Sequence, residues 1–299
     1  MRFTVIALVL ATRVAAQELE PRSYSASPIG TSFFVSSYSY SSGGILFDPT
    51  VPIENAHGYV SALAFGYGHV FRIGNIQSLF TAVLPYAWGP FIGRVTGSAS
   101  DSQVHRAGVG DLRVKVSANF IGSPALTPAE FAKRAPAPFI FGASLLVVAP
   151  TGQYYPQKVI NIGANRWAFK PELGVSYNWN AKFYLDFYTG CWFFASNPNS
   201  YPGQSTLTQD PMLSLQLHAS YTFKPRFYLA LDGTWYNGGS THTNGGPPSE
   251  RTDNSRIGAL LAYGFTPTQS VKLSFSDGAS VRVGSAFQTI GIAYQILWF

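Results

Sequence analysis

Charged residues are scarce in this 299-residue chain: Asp, Glu, Lys and Arg make up 11% of it, against about 25% in an ordinary soluble domain. Long apolar runs are scarce too. Beyond the N-terminal leader the nearest candidate for a spanning helix is Phe139–Ala149, interrupted by Gly142 and Ser144 and closed by Pro150. A helix across a bilayer needs ~20 apolar residues. Cysteine is almost absent. Cys191 stands alone, so no intramolecular disulfide forms, and its parity with Phe187 and Phe193 marks it as a small packing residue. The five histidines, His57, His69, His105, His218 and His242, lie far apart, whereas a metal centre clusters its ligands; no metal or cofactor is expected. The net charge of +6, part of it in Arg2 and Arg13, gathers into no basic run, so nucleic acid is not an expected partner.

What the chain does have is alternation. In Asn165–Asn180, NRWAFKPELGVSYNWN, one parity reads Trp167, Phe169, Pro171, Leu173, Val175, Tyr177, Trp179. The other reads Arg166, Ala168, Lys170, Glu172, Gly174, Ser176, Asn178. A period of two is that of a β-strand. A soluble sandwich seldom turns Arg, Lys and Glu of one strand into its dry interior; a transmembrane barrel strand, with lipid outside and water inside, can do so. Ala107–Phe120 repeats the pattern, Leu112, Val114 and Val116 opposing Asp111, Arg113 and Lys115.

Ten further segments read as strands: Thr31–Ser42, His57–Phe71, Ser78–Trp88, Phe139–Ala149, Lys182–Phe194, Pro211–Phe223, Arg226–Tyr236, Ser255–Phe265, Ser270–Ser276 and Phe287–Phe299. Their connections alternate in length. Asn178–Asn180, Lys224-Pro225 and Pro267–Gln269 are short; Ser196–Thr206, Gly238–Asp253 and Asp277–Ser285 are longer and rich in Gly, Pro, Asn and Ser. The pattern predicts an all-β fold, a closed antiparallel transmembrane β-barrel of about twelve strands with short turns on one side and long loops on the other. Gly122–Pro138 departs from it, with Thr127, Pro128 and Glu130 placed to cap and start a short helix through Arg134.

The organisation expected is a cleaved secretory signal at 1–16, a tail or small lumen plug at 17–30, and an outer-membrane barrel at 31–299. Met1-Arg2, the apolar Phe3–Ala11 and the exit Val14-Ala15-Ala16 carry the first assignment. At the other end the apolar series belongs to Trp298, with Phe299 appended as a terminal aromatic; both are candidates for the signal that insertion machinery reads.

Catalytic signatures are missing. There is no G-x-S-x-G elbow, and Gly108–Gly110 lacks the third glycine and the strand–turn–helix setting of a dinucleotide site. Ser214, His218 and Ser220 have the residue types of a Ser–His pair, but by parity they face the lumen with Gln216. No enzyme is expected.

Several stretches together resemble a family of bacterial outer-membrane proteins known through the MetA pathway of phenol degradation. They are GVGDLRVKVSANFIGSPAL (Gly108–Leu126), APTGQYYPQKVINIGANRWAFKPELGVSYNW (Ala149–Trp179), LTQDPM (Leu207–Met212), LDGTWYNGGST (Leu231–Thr241), RTDNSRIGALLAYGFTPTQSVKLSFSDG (Arg251–Gly278) and the closing AYQILWF. The resemblance implies a barrel associated with uptake of small organic compounds, often aromatic, and no catalytic residues.

The expected function is therefore passive passage of small organic solutes through the outer membrane, the alternative being a non-conducting structural or adhesive barrel acting through its loops. Expected partners are outer-membrane lipid, the solute and the insertion machinery; nothing in the sequence sets an oligomeric state. The charges assigned to the lumen are Asp111, Arg113, Lys115, Arg166, Lys170, Glu172, Asp186, Asp232, Arg256 and Lys272. They are expected to pair across a wet barrel and to sort solutes by charge. Leu112, Val114, Val116, Trp167, Phe169, Leu173, Leu213, Leu215, Leu217 and Trp298 are assigned to the lipid face.

Overall fold

A computed structural model describes residues 10–11, 20–46 and 53–299. The leader assigned to 1–16, apart from Leu10 and Ala11, and the start of the tail lie outside the described residues.

Alternation becomes twelve antiparallel strands: β1 (Ser32–Leu46), β2 (Ile53–Ile73), β3 (Ile76–Val95), β4 (Ser102–Val109 continued by Leu112–Pro124), β5 (Phe139–Ala149), β6 (Ala168–Trp179), β7 (Phe183–Phe194), β8 (Met212–Lys224), β9 (Phe227–Gly238), β10 (Thr252–Gly264), β11 (Gln269–Ser280) and β12 (Gly284–Trp298). Each pairs with its neighbours in sequence, and β12 returns to β1 from Gly284↔Leu46 to Trp298↔Ser32, so the sheet closes and no edge is left to aggregate. The strand read from Asn165 begins only at Ala168, because Asn165 takes φ 53° and breaks the extended chain. β4 breaks at Gly110 and Asp111, where Gly110 donates to the Pro85 carbonyl.

Short turns gather at one end. Asn180 (φ 54°) and Ala181 (φ 55°) take left-handed conformations in the three-residue connection between β6 and β7, and Gly74 and Arg226 supply left-handed residues in two others. The capping box predicted at Thr127 forms around a single helical turn, Pro128–Phe131. The other end carries the long connections. There β2 and β3 extend to 21 and 20 residues, well beyond the ~9–11 that cross a bilayer, and Asn197–Ser200, Ser205–Gln209 and Thr241–Thr243 pair into a small sheet of loop strands.

The core is the lumen, and its character changes along the axis. Towards the long loops it is apolar: Ile45, Val60, Ala87, Phe91 and Phe287 form one buried cluster, closed by Ile162 from the loop between β5 and β6. Opposite, Leu146, Ala168, Trp192 and Met212 form another. The middle is polar and charged. Parity puts Phe91, Trp192 and Phe287 on the lumen side of their strands, and their burial in apolar clusters shows that parity fixes the side of the wall and not the polarity it meets.

Candidate functional site

Beneath the apolar clusters the lumen is filled by the N-terminal segment, residues 20–30. Two glycines make the place for it. Gly142 and Gly174 are directly paired across β5 and β6, and a Cβ on either would overlap the ring of Tyr24. Their missing side chains form a notch in which Tyr24 is 1% exposed, edge-on to Tyr188 with ring centroids 5.1 Å apart. The Tyr24 hydroxyl reaches Ser144 Oγ at 3.1 Å and Glu172 Oε1 at 3.2 Å. Its carbonyl accepts from Asn119 Nδ2 at 2.9 Å.

Glu172 is the centre of the charged belt. Lys170 Nζ donates to Oε2 at 2.7 Å, Gln216 Nε2 to the same oxygen at 3.1 Å, and Lys115 Nζ approaches Oε1 at 3.4 Å. Lys170 and Glu172 are 2% and 4% exposed, a finding that corrects the expectation of a water column at this level. Tyr24 displaces the water, and so the belt carries buried charge. Desolvating such ions costs several kcal/mol each, offset only when every lone pair and proton is met, as it is for Glu172.

Arg22 is held a second way. Its guanidinium lies between the rings of Tyr184 and Tyr228, 4.2 and 4.0 Å from their centroids, and donates to Ser220 Oγ and Thr222 Oγ1. Its backbone N–H donates to Asp186 Oδ2 at 3.0 Å. Asp186, His218 and Asp232 stand side by side on β7, β8 and β9, all buried, with His218 Nδ1 2.6 Å from Asp232 Oδ1. Ser220 and His218 are thus committed to holding the segment and to Asp232.

Three of the other lumen assignments, Asp111, Arg166 and Arg256, serve as braces. Asp111 accepts from the backbone of Gly152 and Ala164; it ties down the loop after β5 instead of lining a pore, because the break in β4 places it at the mouth. Arg166, ahead of β6, donates to Gln209 and sits 4.7 Å from the Phe194 ring centroid. In the same mouth Asn197 donates to the Tyr154 hydroxyl at 3.0 Å, and burial pushes that phenol above its ordinary value. Arg256 donates to the Phe287 carbonyl at 2.7 Å. Arg113 and Lys272 are half-buried, Lys272 between Ala262 and Ala293 on the neighbouring strands. On the outer surface Val116, Trp167, Phe169, Leu173, Leu213, Leu217 and Trp298 are exposed, while Leu112, Val114 and Leu215 are half-covered by their neighbours. Phe299 follows the last strand, fully outside it.

Sequence reasoning missed Arg22 and Tyr24, since Gln17–Gly30 has no strand period. A signal was present in the small residues of one parity on β5 and β6, Gly142, Ser144, Gly174 and Ser176, which leave a volume that only an inserted side chain can fill.

The family model for the MetA-pathway of phenol degradation matches residues 42–296. No curated protein matches the chain. Among solved structures the chain is similar to a COG4313 outer membrane channel from Pseudomonas putida F1, with TM-score 0.76 and 20% identity over 94% of this chain and 100% of that one. It is less similar to the transport unit of the autotransporter AIDA-I from Escherichia coli, with TM-score 0.53 and 12% identity over 97% and 95% of the two chains. The β domain of the Bordetella autotransporter Brka gives TM-score 0.53 and 11% identity over 90% and 99%. At these identities the likeness bears on the fold.

Proposed function

The chain belongs to that phenol-degradation family, and from this premise we propose that it is an outer-membrane channel through which small organic compounds, aromatic ones among them, pass by diffusion. The observation that carries the reading is the division of the lumen. Towards the long loops the lumen is packed with two buried apolar clusters, one holding Phe91 and Phe287 and the other Trp192 and Met212, and these end on the belt that Tyr24 and Arg22 occupy. An apolar solute that parts these clusters is favoured among them by roughly 25 cal/mol per Å² of surface removed from water. Passage requires that the N-terminal segment leave its notch, so the conformation described is a closed one.

In the same reading the exposed aliphatic and aromatic outer surface meets lipid, the leader directs export, and Trp298 with Phe299 is presented to the insertion machinery. Single-channel recording on refolded protein tests it. The wild type is expected to show rare openings, and the double variant Arg22→Ala, Tyr24→Ala sustained ones. Vesicles carrying the variant should take up phenol faster than wild-type vesicles. A folded double variant that neither conducts nor admits phenol would favour the alternative of a non-conducting barrel acting through its loops.

A further inference from the structure

At the long-loop end two cations are paired with carboxylates, Arg94 with Asp101 at 2.8 Å and Arg282 with Glu250 at 2.9 Å. At the short-turn end Lys182, Lys224 and Arg226 are exposed, and among the described residues no carboxylate pairs with any of them. The three are neighbours. The Lys182 carbonyl accepts from the backbone of Thr222 at 2.8 Å, which joins the β6–β7 and β8–β9 turns, and Arg226 lies against Gly264 of β10.

The direction of Lys224 shows which surroundings this cluster addresses. A register shift between Thr222 and Lys224 breaks the alternation of β8. Strict parity would send Lys224 to the lumen with Ser220 and Thr222. Instead its ammonium lies 5.8 Å from the ring centroids of Phe227 and of Tyr263, both of which belong to the outer face. An ammonium held over outward-facing aromatic rings at the end of a barrel strand is the arrangement of an interfacial anchor. A patch serving solutes in the lumen would have kept the unshifted register.

We propose that Lys182, Lys224 and Arg226 form a binding site for the phosphate headgroup of anionic phospholipids in the leaflet that the short turns face. The proposal rests on the reading of the chain as a membrane-spanning barrel and adds a lipid partner to it. Each of the cations is worth roughly fivefold in attraction to an anionic surface, and the aromatic rim beneath them fixes the depth at which the phosphate is met.

Refolded barrel in neutral detergent, offered phosphatidylglycerol and phosphatidylcholine of identical chains in equal amounts, tests this by native mass spectrometry. The wild type is expected to retain phosphatidylglycerol at least ~25-fold over phosphatidylcholine, the product of two such cations. The triple variant Lys182→Gln, Lys224→Gln, Arg226→Gln should lose that preference, while Arg94→Gln, Arg282→Gln at the other rim keeps it. Excess inorganic phosphate should not displace the lipid, because the aromatic rim holds the glycerol backbone and chains. Equal retention of both lipids by the wild type, a preference that survives in the triple variant, or displacement by inorganic phosphate would each overturn the proposal. Insertion into phosphatidylcholine vesicles, followed by heat-modifiable migration, reports separately on the membrane reading: a barrel that inserts and shows no lipid preference sinks the headgroup site alone.

Discussion

Replacing Gly174 by Ala should open the channel without weakening its wall. The Cβ would overlap three atoms of the Tyr24 ring, and those are its nearest neighbours. The strand itself has no objection to alanine, since Gly174 is not among the residues with positive φ. The clash therefore falls on the inserted segment. Tyr24 loses a fully buried position, worth about 1.5–3 kcal/mol, and a hydrogen bond to the charged Glu172, worth about 1.5–3 kcal/mol. The loss of roughly 3–6 kcal/mol shifts the ratio of seated to released segment by about 10²–10⁴-fold. Trypsin reports it through the bond after Arg22, whose side chain lies clamped between Tyr184 and Tyr228 while the segment is seated. Where opening is faster than cleavage, the cleavage rate follows the released population, so it should rise by the same factor, together with mean conductance. Gly66→Ala is the matched control, because its Cβ meets nothing closer than 3.4 Å. Unchanged protection of Arg22 in folded Gly174→Ala, or an equal change in Gly66→Ala, would refute the reasoning.

Other consequences can be checked on the same refolded protein. Lys170→Met leaves Glu172 buried with Lys115 at 3.4 Å as its remaining cation and should cost about 3 kcal/mol, the lower end for a broken buried pair; Lys170→Met with Glu172→Leu should recover most of that loss in urea titrations of the barrel. Leu217 is 52% exposed near the middle of β8, so Leu217→Arg should destabilise the bilayer-inserted barrel by about 2–4 kcal/mol, read as a shift in its unfolding midpoint, with Leu217→Val near neutral. Below the barrel, the backbone N–H of Thr127, and then its hydroxyl, hold the Glu130 carboxyl below its ordinary value. A depressed carboxylate stabilises above its unfolded pKa and loses that contribution as pH falls through the folded one. Intrinsic-rate-corrected amide exchange in Ala129–Ala132 should therefore accelerate below roughly pH 4, and the Glu130→Gln variant should lack the transition.

How much of this was legible in the sequence follows from the reach of each physical rule. Strand existence, the number of strands and the sorting of residues onto two faces rest on local alternation, and Phe139–Ala149 was placed residue for residue. The capping box at Thr127 and Glu130 was legible for the same reason, its partners being three residues apart. Even the charged face of β6 could be read, because two adjacent lumen positions, Lys170 and Glu172, are fixed by the pleat. What the pleat cannot say is what stands opposite. Tyr24 meets Glu172 across 148 positions and Arg22 meets Asp186 across 164, contacts that exist only once the cylinder has closed and its radius has set the width to be filled. Closure decided whether the lumen was wet or packed, turned Asp111 into a loop brace, and grouped Phe91, Phe287 and Ile162 into one buried cluster. The register shift that faces Lys224 outward is of the same kind: a single residue slip, invisible to a period-two pattern, is settled by how the turn beside it must pack.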